Sequence, residues 1–293
     1  MGLLRHGGMN RVFTRAYAPS TLGSFLRAFT FGHVRQLDAV ASRFLTRLAE
    51  QAPLLGGGEN EVALVDVDDT IIEVHGYAKQ GAGFGYSGVR GLNALLATVT
   101  VSSSAPVIVA QRLRKGSCGS PRGVKRLVAD ALKTVAATTR GKVLVRADSA
   151  FYGRGLVSAS VRAGAEVSVT VRMDKAVKAA IASIDEDAWT TIEYTDAVFD
   201  EATGAWISRA EVAEVPFTAF SAQRMADRVP GRLVVRRIPD LNAERHRAAG
   251  QDTLFDTWRS TPSSPPPTRR CSAPSQPTRP TAGTRSSSRS TLI

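Results

Sequence analysis

Cysteine is scarce in this chain: only Cys118 and Cys271 occur in 293 residues. Two thiols cannot build a disulfide framework or a zinc ligand set, so a reducing compartment fits. Long apolar runs are also missing. None reaches the roughly 20 residues that a bilayer-spanning helix needs, and the N-terminus has no apolar signal-peptide core. The sequence therefore reads as cytoplasmic, without a membrane partner. Acids are in deficit, with 26 Asp+Glu against 38 Lys+Arg, a net charge of +12. That imbalance favours a polyanionic partner, and nucleic acid is the usual one.

The deficit is sharpest at the C-terminal end. Ser260 to Ile293 holds no acid, and 27 of its 34 residues are Ser, Pro, Thr or Arg. Such a segment cannot bury enough apolar surface to offset its ordering entropy, which predicts a disordered tail over 260–293.

What is present elsewhere is a chain 43% hydrophobic, enough for a large core. Residues 1–60 read as a helical segment, with apolar residues at three- and four-residue spacing over Leu22–Gln51 and a start at Pro19 and Ser20. From 61 to 184 the pattern changes to apolar strands. "EVALVDVD", "LNALLATVTV" and "PVIVAQRLR" read as a meander, followed by an amphipathic helix at "SPRGVKRLVADALKTVAATT", with Ser120 and Pro121 at its start. Then come "GKVLVRAD", a helix near "RGLVSASVRAG", and "AEVSVTVRM". The order predicts a mixed α/β sheet with flanking helices. Residues 185–240 alternate with period two, which predicts a β-rich insertion and a return strand at "GRLVVRRIPD". Residues 241–259 read as the start of a further core segment.

One short stretch carries the chemistry. "VALVDVDDTI" runs apolar residues into Asp66, Asp68 and Asp69. Bunched carboxylates repel one another, so something positive is expected to join them. Two enzyme classes place acids this way. "DVDDT" fits the D-x-D-x-T run of haloacid dehalogenase-type phosphatases, with Asp66 as nucleophile and Asp68 as general acid. That class also needs a late acidic pair, and no suitable one occurs. DDE nucleases instead use an acid on the first strand and another on the fourth of a ribonuclease H-like sheet, because two-metal chemistry needs carboxylates from separate strands. Asp68 and then Asp148, in "VLVRADSAF", fit that spacing.

Arg112, Arg114, Lys115 and Arg122 lie in "QRLRKGSCGSPRG", read as a flexible basic loop able to contact phosphates. Glu73 and His75 read as polar surface. Trp189, Trp206 and Trp258 read as core.

The run from "DVDDTIIEVHGYAKQGAGFGYSGVRGLNALLATVTV" through "RADSAFYG", "VSVTVRMD", "AWTTIEYTDA" and "PGRLVVRRIPD" resembles DDE transposases of the insertion-sequence 1380 family, over about Leu4 to Arg259. The resemblance implies a ribonuclease H-like core and DNA transposition with Mg2+, or Mn2+ in its place. It implies Asp68 and Asp148 as catalytic, metal-holding acids, with Asp66 or Asp69 as alternatives to Asp68. It further implies double-stranded DNA as partner, at transposon ends and target, a homodimer, and a nucleoid-associated location. Family members carry a third acid, a Glu on a helix after the insertion, and nothing after Arg259 resembles that segment. The expectation is a transposase truncated at its N-terminus and frame-shifted after about Arg259, hence inactive or impaired.

Overall fold

The computed structural model describes residues 11, 17–52, 55, 61–76, 79–201, 204–239 and 258–264. They divide into two units, Met1–Leu54 and Leu55–Ile293.

The first unit contains α1 (Pro19–Arg27) and α2 (Phe31–Gln51). The periodic stretch is thus two helices rather than one. Thr30 divides them because its extended backbone caps α2. Its hydroxyl accepts from the His33 backbone while the His33 ring bonds the Thr30 N–H.

In the second unit β1 (Val62–Glu73) lies between β3 (Arg90–Thr100), antiparallel to it, and β5 (Lys142–Ala147), parallel to it. Outside β3 lies β4 (Val107–Lys115), antiparallel, and outside β5 lies β6 (Glu166–Thr170), parallel. The order β4-β3-β1-β5-β6, with a meander on one side and parallel crossovers on the other, is that of a ribonuclease H-like sheet. The crossovers are α3 (Val124–Ala136) and α4 (Arg154–Arg162). β1 alternates cleanly: Ala63, Val65 and Val67 are buried, while Asp66 and Asp68 point to the other face. Val145 of β5 is paired with Val65, and both are fully buried. α3 covers this apolar face, since Ser120, just ahead of it, donates to Asp69 there.

The glycine-rich turn contains a two-residue strand, β2 (Gly83–Phe84), paired with β3. It works by close backbone approach. A Cβ at Gly116 would overlap the carbonyl oxygens of Gly91 and Gly83, so only glycine fits where β2, β3 and the end of β4 converge.

The insertion is β-rich, as the alternation implies. α5 (Lys175–Ala182), capped by Asp174, precedes β7 (Thr190–Asp200) and β8 (Ala205–Ala219), and β9 (Val229–Pro239) returns beside β8. A cluster of Val171, Val177, Leu233 and Val235 joins β6, α5 and β9. Trp189 lies partly buried beneath the Arg237 guanidinium, 4.0 Å from its ring centroid. Trp206 is a correction, being 66% exposed and packed edge-on against Phe199 of the same hairpin.

The boundary at Arg259 also differs from the sequence reading. A strand, β10 (Trp258–Ser264), runs across it and pairs with β9 on one side and β6 on the other. Residues 260–264 of the expected tail are therefore sheet. Proline cannot donate to a ladder, so "WRSTPSS" gives no strand signal; its partners impose the extended backbone. The rest of 241–257, and 265–293, lie outside the described residues.

Candidate active site

The three aspartates of β1 are not at a strand end, as the sequence suggested; the strand runs on to Glu73. β5, however, stops at Ala147. The last paired residues are Val67 and Ala147, so continuing the register by one sets Asp148 beside Asp68. Asp68 is thus the first residue of β1 with no β5 partner on that edge. From β1 the chain departs to β3 and β4 on one side of this point, and from β5 it departs to β6 on the other. Ligands of open α/β sheets bind at such a switch point, outside the carboxyl ends of the strands.

Each aspartate has a different fate. Asp66 is gripped by Arg146, its register partner, with Nε donating to Oδ1 at 2.6 Å and Nη2 to Oδ2 at 2.7 Å. Each of its oxygens thus accepts from the same guanidinium, which ties the carboxylate to β5. Asp69 points to the opposite, α3-covered face. It accepts from Arg114 at 2.7 Å, Asn93 at 2.7 Å and Ser120 at 3.1 Å. Its side chain is 15% exposed and that of Arg114 is 9% exposed, so this is a buried, bonded ion pair.

Asp68 has no cation of its own among the described residues. Its Oδ1 accepts the Asp69 backbone N–H at 2.8 Å. Partial burial pushes its carboxyl above the ordinary range; that N–H opposes the shift, while the charges of Asp148, Asp69 and Asp66 add to it. Asp148 caps the short 3-10 turn Ser149–Phe151, accepting the Ala150 N–H at 2.9 Å. Its capping role and its place beside Asp68 coexist, because a carboxylate has lone pairs on two oxygens. Two carboxylates from adjacent strands, one held at raised proton affinity, suit a hard divalent cation with oxygen ligands. Among the described residues no group of three His, Cys, Asp or Glu side chains gathers to hold a metal.

The basic residues divide. Arg112, Arg114 and Lys115 lie on β4, not in a loop. Arg112 pairs with Asp130 of α3. Arg114 clamps the following segment: besides Asp69 and Asn93, its Nη1 donates to the carbonyls of Ser120 at 2.9 Å and Arg122 at 2.6 Å. Lys115 and Arg122 are exposed. Asp68 aligns with Leu96 and so with Gln111, which places Lys115 four residues further toward the same sheet edge. Glu73 and His75 are exposed.

Sequence reasoning missed the Arg146–Asp66 and Arg114–Asp69 pairings. The only available signal for the first was an Arg two residues before Asp148, matching Asp66 two residues before Asp68.

The fold and its paired acids define a ribonuclease H-like α/β protein with a carboxylate site at its topological switch point. The chain belongs to the family Transposase DDE domain group 1, which matches residues 8–237. It therefore carries a transposase DDE domain, a class that uses divalent metals. Among solved structures it is similar to the piggyBac transposase synaptic complex with hairpin DNA, at 10% identity and TM-score 0.35. That match covers 69% of this chain and 32% of the other, so the chain spans about a third of that protein's length. No curated protein matches.

Proposed function

We propose that the protein is the transposase of a bacterial insertion sequence, acting on duplex DNA with Asp68 and Asp148 as its metal-holding acids. One observation supports this most: the two acids are register neighbours on the parallel strands β1 and β5, at the switch point of the sheet. Mg2+ or Mn2+, when bound, would supply charge neutralisation and Lewis-acid activation. The rest is the work of the chain. The Asp69 and Ala150 N–H groups orient the two carboxylates. Arg146 keeps Asp66 out of the ligand set. Lys115 and Arg122 hold the DNA backbone at the same edge. In cleavage, a water oxygen bonds to phosphorus and the 3′-oxygen leaves; the freed 3′-hydroxyl then attacks a target phosphodiester in the same way.

Cleavage by this chain is weak in this reading, because the family resemblance calls for a third acid and only two meet among the described residues. The test is a Mn2+ titration followed by thermal melting. Mn2+ should raise Tm for the wild type and for Asp66→Asn, and this rise should vanish in Asp68→Asn and Asp148→Asn. A rise that survives both latter variants, or that only Asp66→Asn abolishes, overturns the assignment. A non-catalytic DNA-binding protein is the second reading, favoured by the two-acid count; it predicts binding that weakens steeply with salt, and no cleaved product.

A further inference from the structure

On the far side of the sheet from Asp68 and Asp148, α3 and α4 pack side by side and leave an open groove of about 680 Å³ along their outer surface. Its rims carry Lys125, Arg126 and Lys133 from α3 and Arg162 from α4, all exposed. Its floor includes Ala129 and Ala159, whose small side chains let a bulky ligand come close to the helices. None of the lining residues is an acid. The one acid on α3, Asp130, is turned to β4, where it pairs with Arg112. The other basic residue of α4, Arg154, pairs with Asp227. The cations on the groove's rim are thus left without carboxylate partners among the described residues.

Four exposed cations around one groove, with no acid in its lining, make a locally positive field that attracts a polyanion. Lys125 and Lys133 are eight residues apart, a helical rise of about 12 Å at 1.5 Å per residue. That spans roughly three to four phosphates at 3.4 Å per step of one strand. No aromatic residue lines the groove, so it offers no platform for stacking unpaired bases, which single-strand sites use. We propose that this α3–α4 groove is a second DNA-binding surface, seating the phosphate backbone of a duplex on the face opposite the catalytic acids. A chain that joins a transposon end to a target needs two duplexes at once, and the groove provides a place for one of them away from the acids. This deepens the transposase reading and rests on it only for that last point.

The experiment compares the wild type with Lys125→Gln/Lys133→Gln/Arg162→Gln by fluorescence anisotropy on a labelled mixed-sequence duplex, in chelator and across a salt series. All three positions are exposed, and matching circular dichroism and melting curves establish that the variant is folded. Affinity at low salt should fall at least tenfold. The slope of log K against log salt should become shallower by about 0.9 per lost phosphate contact, hence by roughly 2–3. A Lys125→Arg/Lys133→Arg variant should keep the wild-type slope. An unchanged slope in the triple Gln variant overturns the proposal, as does a loss confined to single-stranded probe. The Mn2+-induced Tm rise is read on the same protein preparations after the chelator is removed. Its absence in the wild type, with the slope change intact, would sink the catalytic reading and leave the groove standing.

Discussion

At Asp68 the fold works against itself. Its carboxyl is raised by burial and by three neighbouring acids, so ionising it costs the folded state. For such a group the cost is absent at low pH, where the acid is protonated in both states. It develops as pH rises past the ordinary value near 3.8 and is fully present above the raised one. Asp68→Asn should therefore raise Tm at pH 7, and that gain should shrink to nothing as pH falls below the ordinary carboxylate value. Melting curves across pH test this; a variant less stable than wild type at pH 7 would show that Asp68 is a structural residue. Asp69, unlike Asp68, has a cation of its own. Arg114→Ala leaves its buried carboxylate without its cation and should cost about 3–5 kcal/mol in denaturant unfolding. Asp69→Asn keeps one oxygen to accept from Arg114 and Asn93, while its NH2 can donate to the Ser120 hydroxyl, so it should cost less.

At the scale of elements, the glycine-rich turn is a packing device. Gly116→Val would force a side chain into the backbones of β2 and β3, so it should lower stability by several kcal/mol and loosen the Lys115–Arg122 segment. Hydrogen exchange at the residue-116 amide, which donates to the Gly81 carbonyl, and at the amides of β2 would report that loosening. In the insertion, Arg237 is 8% exposed and joins three pieces of chain. It donates to Glu211 on β8 at 2.7 Å and to Glu186 ahead of β7 at 2.8 Å, and lies over Trp189. Arg237→Met keeps the stacking bulk but strands Glu211, so urea unfolding should show a loss of about 1.5–3 kcal/mol. A neutral result would mean that the apolar cluster around Leu233 and Val235 holds the insertion unaided. α5 and β10, like the short β2, are elements that periodicity did not reveal. α5 is short, and its Asp174 cap is legible only once the helix is known. β10 has no strand-like composition and is extended because β6 and β9 flank it with open backbone groups.

For the whole molecule, the charge excess is the property most directly linked to partners. With +12 overall, affinity for duplex DNA should fall by about 10³ or more between 50 and 200 mM salt if six or more phosphates are covered. Anisotropy titrations at both salts measure this, and a flat response would argue against any nucleic-acid role. Among the described residues no helix is long and apolar enough to cross a membrane.

The sequence by itself determined the strand-rich organisation of 61–239, the acid at each of two central strands and the basic surplus. These depend on local alternation and composition, which the chain writes residue by residue. Only the tertiary structure decided which partner each aspartate meets. Asp66, Asp68 and Asp69 are equivalent in sequence, and strand alternation only splits Asp69 from the other two. What separates Asp66 from Asp68 is the length of β5, which brings Arg146 to one and Asp148 to the other. Arg112 and Arg114 were likewise indistinguishable from free cations until β4 laid them against Asp130 and Asp69. A charge's role is set by what the fold places within a few ångströms of it, and long-range pairing of that kind leaves no periodic trace in the chain.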